Sequence, residues 1–394
     1  MKSPIVFLTL VGTAMLAPAA WADGGYYSGT LGAKATGRAG AFAARADDLS
    51  AVSHNPAGLA NIDTTLIEFG NQTSYNAYSF TRAPTYDYAV EHQVNGTAPL
   101  ITFDKVSNSK PWQPAVPMLG VASRLGLKDW AFALAAYAPP GISRLSFPLF
   151  DLTSNTLENG QHDGQRYMMI DREAVILKYV ASAAWKYGEI FGVGASAEWI
   201  HVPRLRYSLI VDGVGGGVAN PVWSDWDMLA RIEGSSLFTF NAILGAWYQP
   251  VPSVVIGLSG QVVPTGIVNH MTLDVTPLSG GALASGDVRL TRGASDANDV
   301  TLTLPLPLLA RAGVRYRNLV NNRERFDVEL DVEYVTWSRV KDFTIETNGL
   351  RATYGTTTTE LQPIHIAKQW RDTVAVRLRP GSGTRRPERN GSRW

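Results

Sequence analysis

The sequence predicts an all-β protein, an antiparallel transmembrane β-barrel preceded by a signal peptide and a small N-terminal segment. Three observations carry this. Strand-length stretches alternate apolar with small or polar residues at a period of two; short and long connections alternate along the chain; and aromatic residues gather beside the short turns.

Residues 1–22 carry Lys2, an apolar run from Ile5 to Leu16 and Ala20-Trp21-Ala22 as an A-x-A cleavage site, the pattern of a secretory signal peptide. The run is shorter than the ~20 residues a helix needs to cross a bilayer, and no later run is longer, so no transmembrane helix is predicted. The chain has no cysteine, although its destination permits disulfides. Charged residues are 18% of the 394, below the usual ~25%. Such a chain exposes apolar surface somewhere. Net charge is +1, and it resides in Lys2 and the Arg-rich end beginning at Arg379; the remainder is slightly acidic, which removes the electrostatic case for a nucleic-acid partner.

Residues 23–63 precede the strands. In DDLSAVSHNPAGLANI, residues 47–62, Asp48 is placed to cap a short helix over Leu49–Ser53. Pro56 biases Asn55 away from the helical region and should end that helix, and Gly58 permits a reversal. Upstream, LGAKATGRAGAFAARA is rich in Gly and Ala, which suits close packing in a confined space. Low charge and steady apolar content argue against a disordered leader.

Residues 64–378 read as about ten strands. From Ile190, Phe191, Val193, Ala195, Ala197 and Trp199 fall on one face, with Gly192, Gly194, Ser196 and Glu198 on the other. Val175, Leu177, Tyr179, Ala181, Ala183 and Trp185 alternate likewise, and Gly188-Glu189 makes the pair a tight hairpin. Short turns fall near Gly126–Asp129, Gly188-Glu189, Pro250–Ser253 and Asn318–Arg323. Long polar connections fall near Ser79–Pro114, Pro139–Gln165, Asp212–Arg231, Pro277–Asn298 and Gly349–Gln369. Trp185 and Tyr187, Trp247 and Tyr248, and Trp130 flank three of the turns, as interfacial aromatics do. A soluble sandwich or propeller shares the alternation, but strands of 15 or more residues exceed its usual ~3 to 10.

The sequence shows no local chemistry. The six histidines are scattered, no G-x-S-x-G occurs, and Ser53-His54 is not a triad, so no catalytic residue, metal ligand or cofactor is assigned. A triad or metal site assembled from distant residues stays open at this point. The glycines of Gly213–Pro221 lack the Lys-Ser/Thr and following helix of a phosphate loop.

GRAGAFAARADDLSAVSHNPAGLANI resembles the plug of the FadL-type outer-membrane family, which carries long-chain fatty acids or aromatic hydrocarbons. YAPPG (Tyr137–Gly141), LGAWYQP (Leu244–Pro250), TLPLPLLARAGVRY (Thr303–Tyr316), VEYVTWSRV (Val332–Val340) and QWRDTVAVRL (Gln369–Leu378) follow in order. The resemblance implies a monomer in the outer membrane that takes up such a ligand passively, without an energy source. Residues 23–63 would fold into the lumen as a hatch, with Asn55, Pro56, Ala57 and Gly58 as its motif and Asp47 and Asp48 as structural caps. Exit would be sideways through a kink in the third strand. That strand, DWAFALAAYA, has no interior Gly, so the gap is not placed, and the pocket residues are not assigned. An adhesin or surface receptor built on the same barrel is the alternative.

The strand pattern is expected to end at Leu378, with residues 379–394 a basic tail. Because an open barrel edge leaves unpaired backbone groups in lipid, and the strands number roughly four fewer than the family's, the sequence is read as a truncated or frame-shifted product, with a smaller closed barrel carrying a basic tail as the alternative.

Overall fold

The computed structural model describes residues 30–86, 100–113, 116–139, 144–148, 165, 168–212, 227–277, 288–321, 323–354, 357–367 and 370–382. The expected signal peptide of residues 1–22, the Gly213–Pro221 stretch and the end of the chain after residue 382 lie outside them. Among the described residues the wall is a fifteen-stranded sheet, made of the two-residue strand Leu145–Ser146 beside β4 and of β1 (Leu66–Gln72), β2 (Val116–Ser123), β3 (Trp130–Tyr137), β4 (Met169–Tyr187), β5 (Phe191–Asp212), β6 (Asp227–Val251), β7 (Val254–Gln261), β8 (Gly266–Pro277), β9 (Asp299–Pro305), β10 (Leu309–Val320), β11 (Arg323–Val335), β12 (Asp342–Glu346), β13 (Ile364–Ala367) and β14 (Thr373–Ser382). All their pairings are antiparallel.

Near the short turns the order is β1-β2-β3-β4-β5-β6-β7-β10-β11-β14. Farther out, β6 passes its pairing from β7 to β8, and the order continues β6-β8-β9-β12-β13. The wall strands after β6 therefore break at one level. Pro264 and Pro307 stand in two of the breaks, where the missing N–H ends a ladder. At the other two, Trp337 and Trp370 pack edge to face at 5.1 Å. Among the described residues β1 and β14 do not pair with each other, so the sheet is an open-edged barrel wall.

The alternation is inverted relative to a water-soluble sheet. On β5, Val193 and Trp199 are exposed, whereas Ser196 and Glu198 are buried. Eight residue steps separate Tyr187 from Tyr179 on β4; at ~3.3 Å per step and a tilt of ~40° this is ~20 Å of height, near the apolar band of a transmembrane barrel. Tyr179, Trp199 and Phe240 form the outer girdle. Beyond it the exposed face turns to charge, with Arg204 Nε 3.0 Å from Glu233, and the apolar side chains turn inward. Ile176, Ile200, Val202, Leu205, Ile232, Ile267, Met271, Leu302, Leu304 and Ile345 meet in one buried cluster.

The expectation that strand structure ends at Leu378 is corrected. β14 continues through Ser382, with Arg379, Pro380 and Gly381 opposite Glu329, Val328 and Asp327. An edge strand tolerates Pro380, because no second neighbour needs its N–H.

Candidate functional site

Residues 30–62 pack within the wall, on the side of the short turns. They form α1 (Ala33–Gly37), α2 (Ala51–His54) and a 3-10 turn, Pro56–Asn61. Phe42, Leu49, Val52 and Leu59 are fully buried against Met118 and Ala133 of the wall. Asn55 ends α2 in extended geometry, as the following proline requires. Its Nδ2 donates to the carbonyls of Ala43 at 2.7 Å and Ala246 at 3.0 Å, and its Oδ1 accepts from Ala57 N at 3.2 Å. The carbonyl of Ala57 accepts from Trp247 Nε1 at 3.0 Å. One side chain thus ties two turns of the inner segment to β6.

Three expectations need correction. α2 begins at Ala51 rather than Leu49, with Ser50 at its N-cap position and no side-chain cap; Asp48 Oδ1 accepts from Ser50 N at 2.9 Å and Ser50 Oγ at 2.6 Å. Asp47 is an ion-pair partner, 2.9 Å from Lys34 Nζ and 3.0 Å from Arg45 Nε. Gly58 makes no reversal. It lies within the 3-10 turn, where a Cβ would stand 2.1 Å from the carbonyl of Ala46, so it is needed for close approach. Gly194 and Gly257 do the same from the wall: a Cβ would meet Ala57 N at 2.5 Å and Ala43 O at 2.2 Å.

Burial pushes Asp48 up from the ordinary carboxylate value. At Asp47 burial acts in the same direction, but Arg45 and Lys34 outweigh it and hold the carboxyl low. Burial, aided by nearby Arg311, lowers His54 to about 3, so it is neutral. Its Nε2 donates to Leu31 O at 2.9 Å, fixing the tautomer.

A carboxylate ladder on β11 anchors the same segment, and sequence reasoning missed it. Asp331 accepts from Phe42 N at 2.7 Å and Ala43 N at 2.8 Å; Glu329 accepts from Ala44 N at 2.8 Å and Arg45 N at 3.2 Å. Arg38 reaches Asp327 and Glu329, each at 2.9 Å, and Arg45 reaches Asp327 at 3.3 Å. The signal was in FDVELDVEY: acids at every second position of a strand whose other face is apolar must point into the lumen.

A second polar group, also missed, lies between this segment and the outer apolar cluster. Glu198 Oε1 accepts from Tyr137 Oη at 2.6 Å; its Oε2 accepts from Asn241 Nδ2 at 2.5 Å and lies 3.0 Å from Lys178 Nζ. On β5 the inward side chains run Ser196, Glu198, Ile200, and Ser196 Oγ donates to Val52 O at 2.8 Å. Glu198 thus sits one step from the inner segment and one from the apolar cluster.

On the lipid-facing side of this level, Leu119, Leu134, Ala136, Tyr179, Trp199 and Phe240 border a groove of about 570 Å³. Just beyond it β3 leaves β4. Among the described residues their ladder runs to Tyr137↔Lys178, and the next pairing to β4 is Leu145↔Arg172. Among the described residues no group of acidic and histidine side chains is placed to hold a metal ion.

The described residues thus combine an inward-folded N-terminal segment with an apolar-faced antiparallel wall. Residues 13–378 match the family model of outer membrane protein transport proteins (OMPP1/FadL/TodX). The chain belongs to this family. The family places it in the outer membrane, among proteins that carry hydrophobic substrates. The fold is similar to that of a Pseudomonas aeruginosa FadL homologue, at a TM-score of 0.62 and 16% identity over 89% of this chain and 76% of that one. A monoaromatic hydrocarbon channel, CymD, gives 0.55 and 16% over 89% and 78%. The Pseudomonas putida toluene transporter TodX gives 0.53 and 13% over 85% and 75%. Among curated proteins, none matches the chain.

Proposed function

We propose that the protein takes up small hydrophobic molecules passively through the outer membrane, as a monomer, with residues 30–62 as a hatch and without catalysis. The observation that carries this is the stacking of three layers along one lumen: the buried apolar cluster around Ile200 and Leu302, the Glu198 group, and the inner segment held by Asn55. An apolar solute gains ~25 cal/mol per Å² removed from water, so the outer cluster supplies the capture step without an energy source. The hatch denies it a straight path to the periplasm. The interruption between β3 and β4, beside the lipid-facing groove, offers a lateral path into the membrane. An adhesin on this wall would have no use for an inner segment tied to β6 and β11 by side-chain hydrogen bonds.

Asn55→Ala with Pro56→Ala tests the reading. The pair removes two hydrogen bonds inside the hatch and one from the hatch to β6, but no strand residue, so the heat-modifiable barrel band should persist while accumulation of a long-chain fatty acid or an aromatic hydrocarbon changes several-fold. Unchanged accumulation of every ligand, at normal protein level, would remove the gating role.

A further inference from the structure

Resting on the uptake reading above, the geometry points to Glu198 and Lys178 as a charge filter that passes uncharged hydrophobic molecules and rejects ionised carboxylates. The two side chains are buried on neighbouring strands and lie 3.0 Å apart. Lys178 is a cation facing the base of the apolar cluster, one inward step from Ile176, and its charge is already answered by Glu198. Both oxygens of Glu198 are in turn occupied, Oε1 by Tyr137 and Oε2 by Lys178 and Asn241. Ser196, the next inward residue, is committed to the hatch through Val52 O.

A fatty-acid carboxylate descending past Ile200 therefore meets a net-neutral, hydrogen-bond-saturated group. To reach Lys178 it must displace Glu198 and then share a dry site with that second carboxylate. Otherwise it stays unpaired among Ile, Val and Leu side chains, where an isolated charge costs several kcal/mol or more. A hydrocarbon, ester or long-chain alcohol meets neither penalty. The substrate class this favours is the uncharged one, and the discrimination comes from a built-in repulsion rather than from an added contact.

Equilibrium binding of radiolabelled methyl hexadecanoate and hexadecanoate to the purified full chain at pH 8 reads the filter, as the ratio of ester to acid affinity. Glu198→Gln keeps the size and one accepting oxygen for Lys178 and Asn241, with its NH2 donating to Tyr137 Oη in place of the second acceptor, and removes the competing charge, so the ratio should fall at least tenfold through tighter binding of the acid. Lys178→Met leaves Glu198 unopposed and should raise the ratio at least tenfold. Retained ester affinity in each variant shows that the site is folded. A ratio that does not move in either variant overturns the filter while leaving uptake intact. Failure of wild type to bind either probe overturns both.

Discussion

Arg38 and Asp327 are 289 positions apart in sequence and 2.9 Å apart in space, with both side chains buried. Arg38 belongs to the hatch and Asp327 to the wall strand β11, and Glu329 completes the pair of carboxylates on the same guanidinium. Replacing Arg38 by Gln leaves two buried carboxylates short of a partner, a loss of the order of ~3–5 kcal/mol for a buried pair broken from one side. The hatch should loosen before the wall does. In the folded wild-type protein trypsin should spare Arg38 and Arg45, which are 5% and 7% exposed. In Arg38→Gln it should cut after Arg45 with the barrel band still heat-modifiable.

Gly194 and Gly257 test the same contact from the other side. Valine at either position places side-chain atoms where Ala57 or Ala43 now stands, and backbone on both sides cannot give way cheaply. Each single variant should keep the barrel band, expose Arg45 to trypsin and raise leakage of apolar solutes. A hatch still protected in both variants would mean that residues 30–62 do not occupy the wall face described.

His54 gives the hatch a pH dependence with a definite sign. Its folded value of about 3 lies below the ordinary 6.5, so the unfolded hatch binds more protons between those values. The stabilising contribution is therefore complete above about pH 6.5 and is lost as pH falls toward about 3, by at most ~1.4 kcal/mol per unit. Protection of Arg45 from an acid-tolerant protease should weaken from pH 7 to pH 5, and the slope should be shallower in His54→Asn, which keeps a donor for Leu31 O. Asp48, raised by burial, works in the opposite direction in both proteins and cancels in the comparison.

The barrel class was legible because lipid reverses the usual rule: Val193, Ala195, Ala197 and Trp199 form one continuous apolar face, and connection lengths report the two ends of the wall. The end of α2 was legible in HNPAG, since a proline after Asn55 fixes where the helix must stop. What holds the hatch was not. The partners of Arg38 lie on β11, and their pairing is set by how the sheet curls, which no local pattern encodes. Asp47 and Asp48 look alike as caps in sequence, and only the position of Lys34 and Arg45 separates their roles. The end of β14 was misjudged for a similar reason: Pro380 and Gly381 read as a stop, yet Gly381 is the residue small enough to lie against Asp327 and Arg38.

The most direct measurement is accumulation of a radiolabelled aromatic hydrocarbon by de-energised cells whose own hydrocarbon channels have been deleted, with and without this chain in the outer membrane. Passive hatch-gated uptake predicts a several-fold faster initial rate with the chain, insensitive to an uncoupler and altered again by Asn55→Ala with Pro56→Ala. An initial rate that is the same with and without the chain, at verified outer-membrane levels of folded protein, would contradict it.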